Sequence, residues 1–528
     1  MKVKSVKWYY IGCLILILAI ALFLVVNIVG SKTYLDSDMS SELILAKILA
    51  KEGSWFSADW FYSTEIRVFY MTHIAAFLFR FISDYRMVRV LTNCILIMVM
   101  LGSFHFFLRS IAFSKTRRVW CEVVLLLPVS GDILYSIQIG GFYSVVLCMN
   151  MVFLGGFFYL HRGLGRHLKI FCYLILTGIS LLHGLMGVRG FVVLFLPLVS
   201  VSIYLCVYEQ KFRLSAVTVI CKSRQFLRCL WFLLTSVVGY AVNALYLAKR
   251  YNYYDYSGTV FRDLRPSLIV SRVNDLISNM IEFFGYRSEK LFSCVGIGNV
   301  FAIAFVIAIG IILVFLGIRF DELNEVMRFT YLFILFAAIL QLFLLVFTGD
   351  VIWARYFIPF GWLLIPMVAE WGSKRAVDLK KVAISVVLIG TVLISSFNTT
   401  VMIITEDRNE GLEEVIEFLE REGYTRGIAT FWNSNVVQEL SGDKVKMTAV
   451  RNLKDLEIYP WLMPKENIER KTYSGEKKFL LVDSSELGES GEDIEVQGAR
   501  LVYRNGKYAV YHCTKEIKEL FYKRNGMN

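Results

Sequence analysis

The sequence predicts an α-helical polytopic membrane protein, with about eleven or twelve transmembrane helices and a small C-terminal α/β domain. Three observations predict it. Apolar residues make up 56% of the 528, and the mean hydropathy is +0.57, well beyond a soluble domain's balance. These residues fall in runs of about 20, the length at which a helix crosses a bilayer. From about Glu406 the runs cease, and a charged helical stretch leads into short β-like runs. The expected division is residues 1–404 as a membrane part, with outer loops 30–65 and 249–293, and residues 405–528 as a soluble extracytoplasmic domain.

In chain order, Trp8 to Val29 is the first span. Lys2, Lys4 and Lys7 precede it and are expected to stay cytoplasmic. The span has no small-residue cleavage site and reads as a retained anchor. Asp36, Asp38 and Glu42 follow a short way beyond its outer end. As local structure they predict a helix from Met39 to Lys51, started by a Ser37 or Asp38 cap and stopped at Gly53. Ser54 to Thr64 is rich in Trp, Phe and Tyr, a composition that favours the membrane interface.

Further spans are expected at 66–82, 88–108, 119–130, 141–160, 170–187, 190–208, 226–248, 294–318, 327–348, 352–371 and 382–403. Basic or charged loops at 109–118, 161–169, 209–225, 319–327 and 373–381 should lie inside, which accounts for the +12 net charge without nucleic acid. One conflict of parity follows. Two segments separate the Asp36 loop from loop 109–118, so either 66–82 lies in the interface or 119–130 is re-entrant.

The loop 249–293 carries an expected amphipathic helix from Pro266 to Phe284. In the tail, a helix over Glu410–Glu422 stops at Gly423, and β runs follow at Gly427–Phe431, Lys444–Val450, Lys478–Val482, Arg500–Tyr503 and Lys507–Tyr511. Asn505-Gly506 reads as a hairpin turn. Ten cysteines are scattered without a CxxC pair and read as small apolar residues, Cys294 and Cys513 alone falling in segments expected outside.

Charges close to apolar segments are costly and face a cavity or a partner. They cluster at Asp36, Asp38, Glu42 and Glu65; at Asp132; at Arg189 in His183-Gly-Leu-Met-Gly-Val-Arg-Gly190; and at Arg355 in Gly349-Asp-Val-Ile-Trp-Ala-Arg-Tyr-Phe-Ile-Pro359. Arg189 and Arg355 read either as internal ion pairs with Asp350 or Asp132, or as guanidiniums holding a phosphate through bidentate hydrogen bonds. Acid on one outer loop and arginine on others predicts a site with two halves. One deprotonates an acceptor hydroxyl; the other stabilises an anionic leaving group. A lipid-linked phosphosugar, its isoprenoid in the bilayer, presents that chemistry at a membrane face.

These features resemble the GT-C superfamily of membrane glycosyltransferases, which includes the protein O-mannosyltransferases and the aminoarabinose transferases of lipid A. Asp36-Ser-Asp38…Glu42 matches the position of their first-loop acid, and Arg355-Tyr356…Pro359 resembles an Arg-Tyr-x-x-Pro found in many members. Leu35–Glu42, Trp60–Arg67, Gly187–Gly190 and Thr430–Asn435 look like a group of bacterial multi-pass proteins of this kind.

The resemblance implies an inverting transfer of a hexosyl or pentosyl group from a polyprenyl-phosphate donor at the outer face of the cytoplasmic membrane. The acceptor is a cell-envelope glycan, lipid or protein. Asp36 is the expected general base, with Asp38 or Glu42 orienting the acceptor or supporting a divalent cation. No metal-ligand set is assigned. Arg189, Arg355 and Tyr356 are expected at the donor phosphate, with Arg262 and Arg272 closing over it. Glu65, Asp132, Trp432 and Asn433 are candidate acceptor or sugar contacts, although Trp432 by itself reads as a core residue. Two other classes stay open: a glycolipid flippase and a non-catalytic assembly protein of the cell envelope.

Overall fold

The structure is a computed structural model that describes residues 2–63, 66–161, 165–210, 216–251, 265–348, 351–374, 377–468, 477–486 and 498–526. The chain opens with α1 (Lys2–Thr33), whose C-terminal end leads directly into α2 (Ser37–Glu52). Asp36, rather than Ser37 or Asp38, caps α2: its Oδ1 accepts the Met39 N–H at 2.9 Å. At the other end Gly53 adopts φ +65°, the left-handed conformation that closes a helix and that glycine adopts at least cost. Behind α2 come a two-residue strand β1 (Trp60–Phe61) and the short α3 (Met71–Phe79). Nine residues are too few to cross a bilayer. The expected span at 66–82 is therefore absent; α3 packs against α2 instead.

Next are α4 (Tyr85–Ser110) and α5 (Lys115–Leu126), followed across a 93° bend by α6 (Gly131–Ile139). Gln138 Nε2 donates to the Leu126 carbonyl at 2.6 Å, satisfying an acceptor left free where α5 breaks. The remaining long helices are α7 (Ser144–His161), α8 (Arg166–Leu185), α9 (Phe191–Glu209), α10 (Arg224–Arg250), α12 (Cys294–Ile318), α13 (Glu325–Phe347) and α15 (Leu379–Thr405). Between them lie α11 (Pro266–Phe283), the expected amphipathic helix, and a segment split into Ala354–Phe357, Ile358–Gly361 and α14 (Leu364–Lys374).

Among the described residues nine helices are long and apolar enough to span a membrane, ten if α5 and α6 make one bent crossing. The eleven or twelve expected spans are thus reduced by 66–82 and by the broken piece at 352–371. Contacts between loops show which helix ends share a side. Arg117 reaches Glu370 at 3.3 Å, the Lys374 amine donates to the Glu322 carbonyl at 2.6 Å, and Tyr208 donates to Asp321 at 2.7 Å. Trp8 lies against Trp120. The N-terminal part of α1 and the described parts of the basic loops at 109–118, 209–225, 319–327 and 373–381 therefore gather at one end of the bundle.

The C-terminal region lies at the opposite end. After α16 (Leu412–Arg421) come β2 (Arg426–Thr430), α17 (Phe431–Leu440), β3 (Lys446–Val450), β4 (Met463–Pro464), β5 (Lys478–Asp483), β6 (Arg500–Arg504), β7 (Tyr508–His512) and α18 (Lys515–Arg524). The five-stranded sheet has the order β3-β2-β5-β7-β6, its first three strands parallel and its last two antiparallel. The hairpin tip falls one residue later than expected. Asn505 pairs with Tyr508, and its side-chain oxygen accepts the N–H groups of Lys507 and Tyr508. Leu412, Val415 and Leu419 of α16 are fully buried against Val437, Phe479 and Val510. That core also includes Val26, Tyr34 and Met39, so it is continuous with the C-terminal end of α1 and the start of α2. Cys513 is buried inside this region, whereas Cys294 at the start of α12 is exposed.

Candidate active site

Four elements converge on the start of α2. Asp36 and Asp38 stand on its first turn, where backbone N–H groups and the helix dipole favour negative charge. They are not equivalent. Asp36 Oδ1 accepts the Met39 N–H at 2.9 Å. Burial raises the Asp36 carboxyl above its ordinary range, against the Met39 N–H and the nearby Tyr135 hydroxyl, both of which favour its charged form. Asp38 is half-buried and its carboxylate accepts no hydrogen bond from the described residues. Burial and the neighbouring Asp36 charge push it up to about 7, against the pull of Arg355 and Arg67. Desolvation beside a like charge is the arrangement that tunes a carboxylate into a base near neutral pH.

Tyr135 reaches Asp36 because α6 continues as a π-helical turn from Leu134 to Ile139, an irregularity common at functional sites. Asp132 begins the same element and lies in the field of Arg355 and Arg408. Arg355 follows Trp353, over whose ring it lies at 5.1 Å, on the short helix that opens the broken segment. Its charge is felt at Asp38, Asp132 and Tyr135. The Arg355 region, which the sequence placed some 320 residues from the first loop, is thus brought to the aspartates.

Glu42 is differently engaged. One oxygen pairs with Arg67 at 2.9 Å, the other accepts the Thr72 hydroxyl, and burial raises its carboxyl despite both partners. It braces α2 against the 66–72 segment, and its charge adds to those that raise Asp38. Among the described residues no group of three histidine, cysteine or carboxylate side chains is arranged to hold a metal ion.

The expected phosphate ligands have different surroundings. Arg189 is exposed just before α9, where its charge reaches Tyr70, the neighbour of the Arg67 guanidinium. Tyr356 is half-buried beside Arg355. Arg272 donates to the carbonyls of Leu345 and Thr348 at 2.9 and 2.8 Å, closing the end of α13. Arg262 and Glu65 lie outside the described residues, as does Asp350. Trp432 is 61% exposed, not a core residue: it stands at the first turn of α17, with Asn433 half-buried next to it.

Sequence reasoning missed Tyr135, Arg67 and Arg408. The Arg408 guanidinium lies 3.4 Å over the Tyr34 ring and donates to its hydroxyl, and Asn409 donates to the carbonyls of Lys32 and Leu35. The segment after α15 thereby straps the link between α1 and α2. A charged residue at the end of an apolar run was the only available signal, and Arg408 follows such a run.

Neither a protein-family model nor a curated protein sequence matches the chain. Solved structures do. ArnT from Cupriavidus metallidurans, bound to undecaprenyl phosphate, aligns over 96% of this chain and 98% of its own, with a TM-score of 0.57 and 8% identity. Its apo state aligns over the same shares at 0.55 and 10%. The oligosaccharyltransferase of Archaeoglobus fulgidus aligns over 96% of this chain and 75% of its own, at 0.50 and 11%. The chain shares the overall fold of these solved structures. The 96% of the chain covered is more than the membrane helices alone, so the likeness extends into the C-terminal region.

Proposed function

We propose that the protein is a glycosyltransferase that moves a sugar from a polyprenyl-phosphate donor to an acceptor hydroxyl at the outer face of the cytoplasmic membrane. The observation that carries this reading is Asp38: a carboxylate with no hydrogen-bond donor among the described residues, raised to about 7 and set in the field of Asp36 and of the Arg355 and Arg67 guanidiniums. Asp38, more than Asp36, has a lone pair to spare for a substrate proton. The acceptor O–H loses its proton to Asp38 as its oxygen bonds to the anomeric carbon. The bond from that carbon to the phosphate oxygen breaks on the opposite face, with inversion, and polyprenyl phosphate leaves as an anion that Arg355 and Tyr356 receive. Asp36 and Tyr135 hold the first turn of α2 in place, and Asp132 faces the acceptor side. Trp432 and Asn433 offer an aromatic face and an amide to an acceptor sugar. Glu42 and Arg272 keep the scaffold roles their partners give them, while Arg189 borders the donor side.

ArnT bound to undecaprenyl phosphate has this fold, which supports the choice of donor lipid. The gathering of basic loops opposite the aspartates supports an inside-to-outside orientation, N-terminus in and C-terminal region out. The test is turnover of a panel of undecaprenyl-phosphate sugars by the purified protein, with inorganic-phosphate-free detection of released undecaprenyl phosphate. Turnover lost in Asp38→Asn and Arg355→Ala fits the reading. Turnover retained in Asp38→Asn excludes Asp38 as the base.

A further inference from the structure

Ser37 lies between the two aspartates and is fully buried. Its partners come from 394 and 398 residues away. The hydroxyl donates to the Phe431 carbonyl and accepts the Asn435 N–H at 3.2 Å. In an α-helix those two backbone groups are an i to i−4 pair, so the Ser37 hydroxyl seats itself on the first turn of α17 at both of its poles. The Asn435 side chain completes the seat, its Nδ2 donating to the Ser37 carbonyl at 3.4 Å and to the Leu462 carbonyl at 3.1 Å.

Two further ties follow along the same faces. Arg89, fully buried on α4, donates from Nη2 to both Glu439 oxygens at 2.7 and 2.6 Å and to the Met39 carbonyl at 3.3 Å. Asp443 accepts Tyr85 at 2.7 Å and pairs with Lys47 at 2.8 Å. Residues 435, 439 and 443 recur every four positions, one stripe of a helix and its exit. They meet α2 at Ser37, at Met39 through Arg89, and at Lys47. β1 also pairs with β4, Trp60 opposite Pro464.

We propose that Asn435 is a positioning residue: through Ser37, the first turn of α17 sets the orientation of Asp36 and Asp38, so the C-terminal region is part of the catalytic apparatus and not an appended recognition domain. Asn435 itself touches no reacting atom. Its effect is geometric, and misplacing a reacting group by about 1 Å can cost about 100-fold in rate. The identity of Asp38 as the base rests on the function proposed above; the mechanical coupling of α17 to α2 does not.

The experiment uses the full-length protein in detergent, comparing wild type with Asn435→Ala, Ser37→Ala, Ser37→Thr and Lys446→Ala, the last a surface control on the same sheet. Amide hydrogen exchange over residues 37–45 reads the coupling without any substrate. Asn435→Ala and Ser37→Ala are expected to speed exchange there by about tenfold, while Ser37→Thr, which keeps the hydroxyl, and Lys446→Ala stay at the wild-type rate. With an undecaprenyl-phosphate sugar that wild type turns over, Asn435→Ala is expected to lower kcat by about tenfold or more with donor KM within about twofold. Unchanged exchange over 37–45 with intact folding overturns the coupling. Faster exchange with kcat unchanged overturns the positioning role. Absence of turnover in wild type contradicts the proposed function alone, since the exchange result stands apart from it.

Discussion

Asp38 and Asp36 sit two residues apart, and their surroundings set them apart. Asp36 accepts the Met39 N–H as the cap of α2 and has the Tyr135 hydroxyl beside it, whereas the Asp38 carboxylate accepts no hydrogen bond from the described residues. In the proposed role as base, Asp38 must be ionised to accept a proton, so kcat/KM is expected to rise with pH through an acid limb near 7, read in a pH–rate profile. Asp38→Asn should lower kcat by about 10²–10⁴-fold while undecaprenyl phosphate binding persists. The same shift has a stability consequence. Its folded value lies above the unfolded one of about 4, so folding favours the protonated form and loses stability as pH rises from about 4 through about 7. Asp38→Asn should therefore raise Tm at pH 8 by about 2 °C more than at pH 4. The opposite ordering would contradict the shift. Arg89 and Glu439 bind each other almost without water, at 0% and 3% exposure. Glu439→Ala strands the guanidinium and should cost about 3–5 kcal/mol, seen as a large fall in Tm, with Glu439→Gln milder.

At the scale of elements, close packing and breaks matter more than helix length. A Cβ at Gly184 would lie 1.9 Å from the Ser236 carbonyl oxygen, and one at Gly239 would lie 2.2 Å from that of Leu181. The α8 and α10 backbones touch there, as small residues allow in membranes. Gly184→Leu should force them apart and lower Tm, whereas a leucine at Gly178, where a Cβ meets nothing within 4 Å, should leave Tm unchanged. Most long helices were legible in the sequence because apolar length is a local signal. The exceptions are instructive. The run at 66–82 is apolar enough, but Ile66–Tyr70 is drawn into non-helical contacts with α2 and α10, Asn243 donating to the Ile66 carbonyl at 3.2 Å. The bend between α5 and α6 depends on Ser130 and Gln138 each satisfying backbone groups at the break, which composition alone does not reveal.

For the whole molecule, the acidic first loop, the broken segment with Arg355 and the C-terminal region meet at one end, and the basic loops meet at the other. The sequence marked the carboxylates and Arg355 as costly charges at helix ends. It could not mark their partners: Arg89 finds Glu439, and Tyr34 finds Arg408, across more than 340 residues, and no local pattern encodes such pairs. The orientation of the two ends makes a direct prediction with native cysteines. Exposed Cys294 belongs to the aspartate end and exposed Cys221 to the basic end. A membrane-impermeant maleimide should label Cys294 in intact cells and Cys221 only after permeabilisation; the reverse pattern would invert the topology.

The most direct measurement of the central claim is release of undecaprenyl phosphate from undecaprenyl-phosphate sugars by purified wild type, Asp38→Asn and Arg355→Ala, run side by side with binding of undecaprenyl phosphate. The account predicts turnover in wild type only, with binding retained in Asp38→Asn and weakened in Arg355→Ala. Turnover that persists in Asp38→Asn, or tight donor binding with no turnover by wild type on any sugar, would contradict it, the latter pointing to a lipid carrier in place of a transferase.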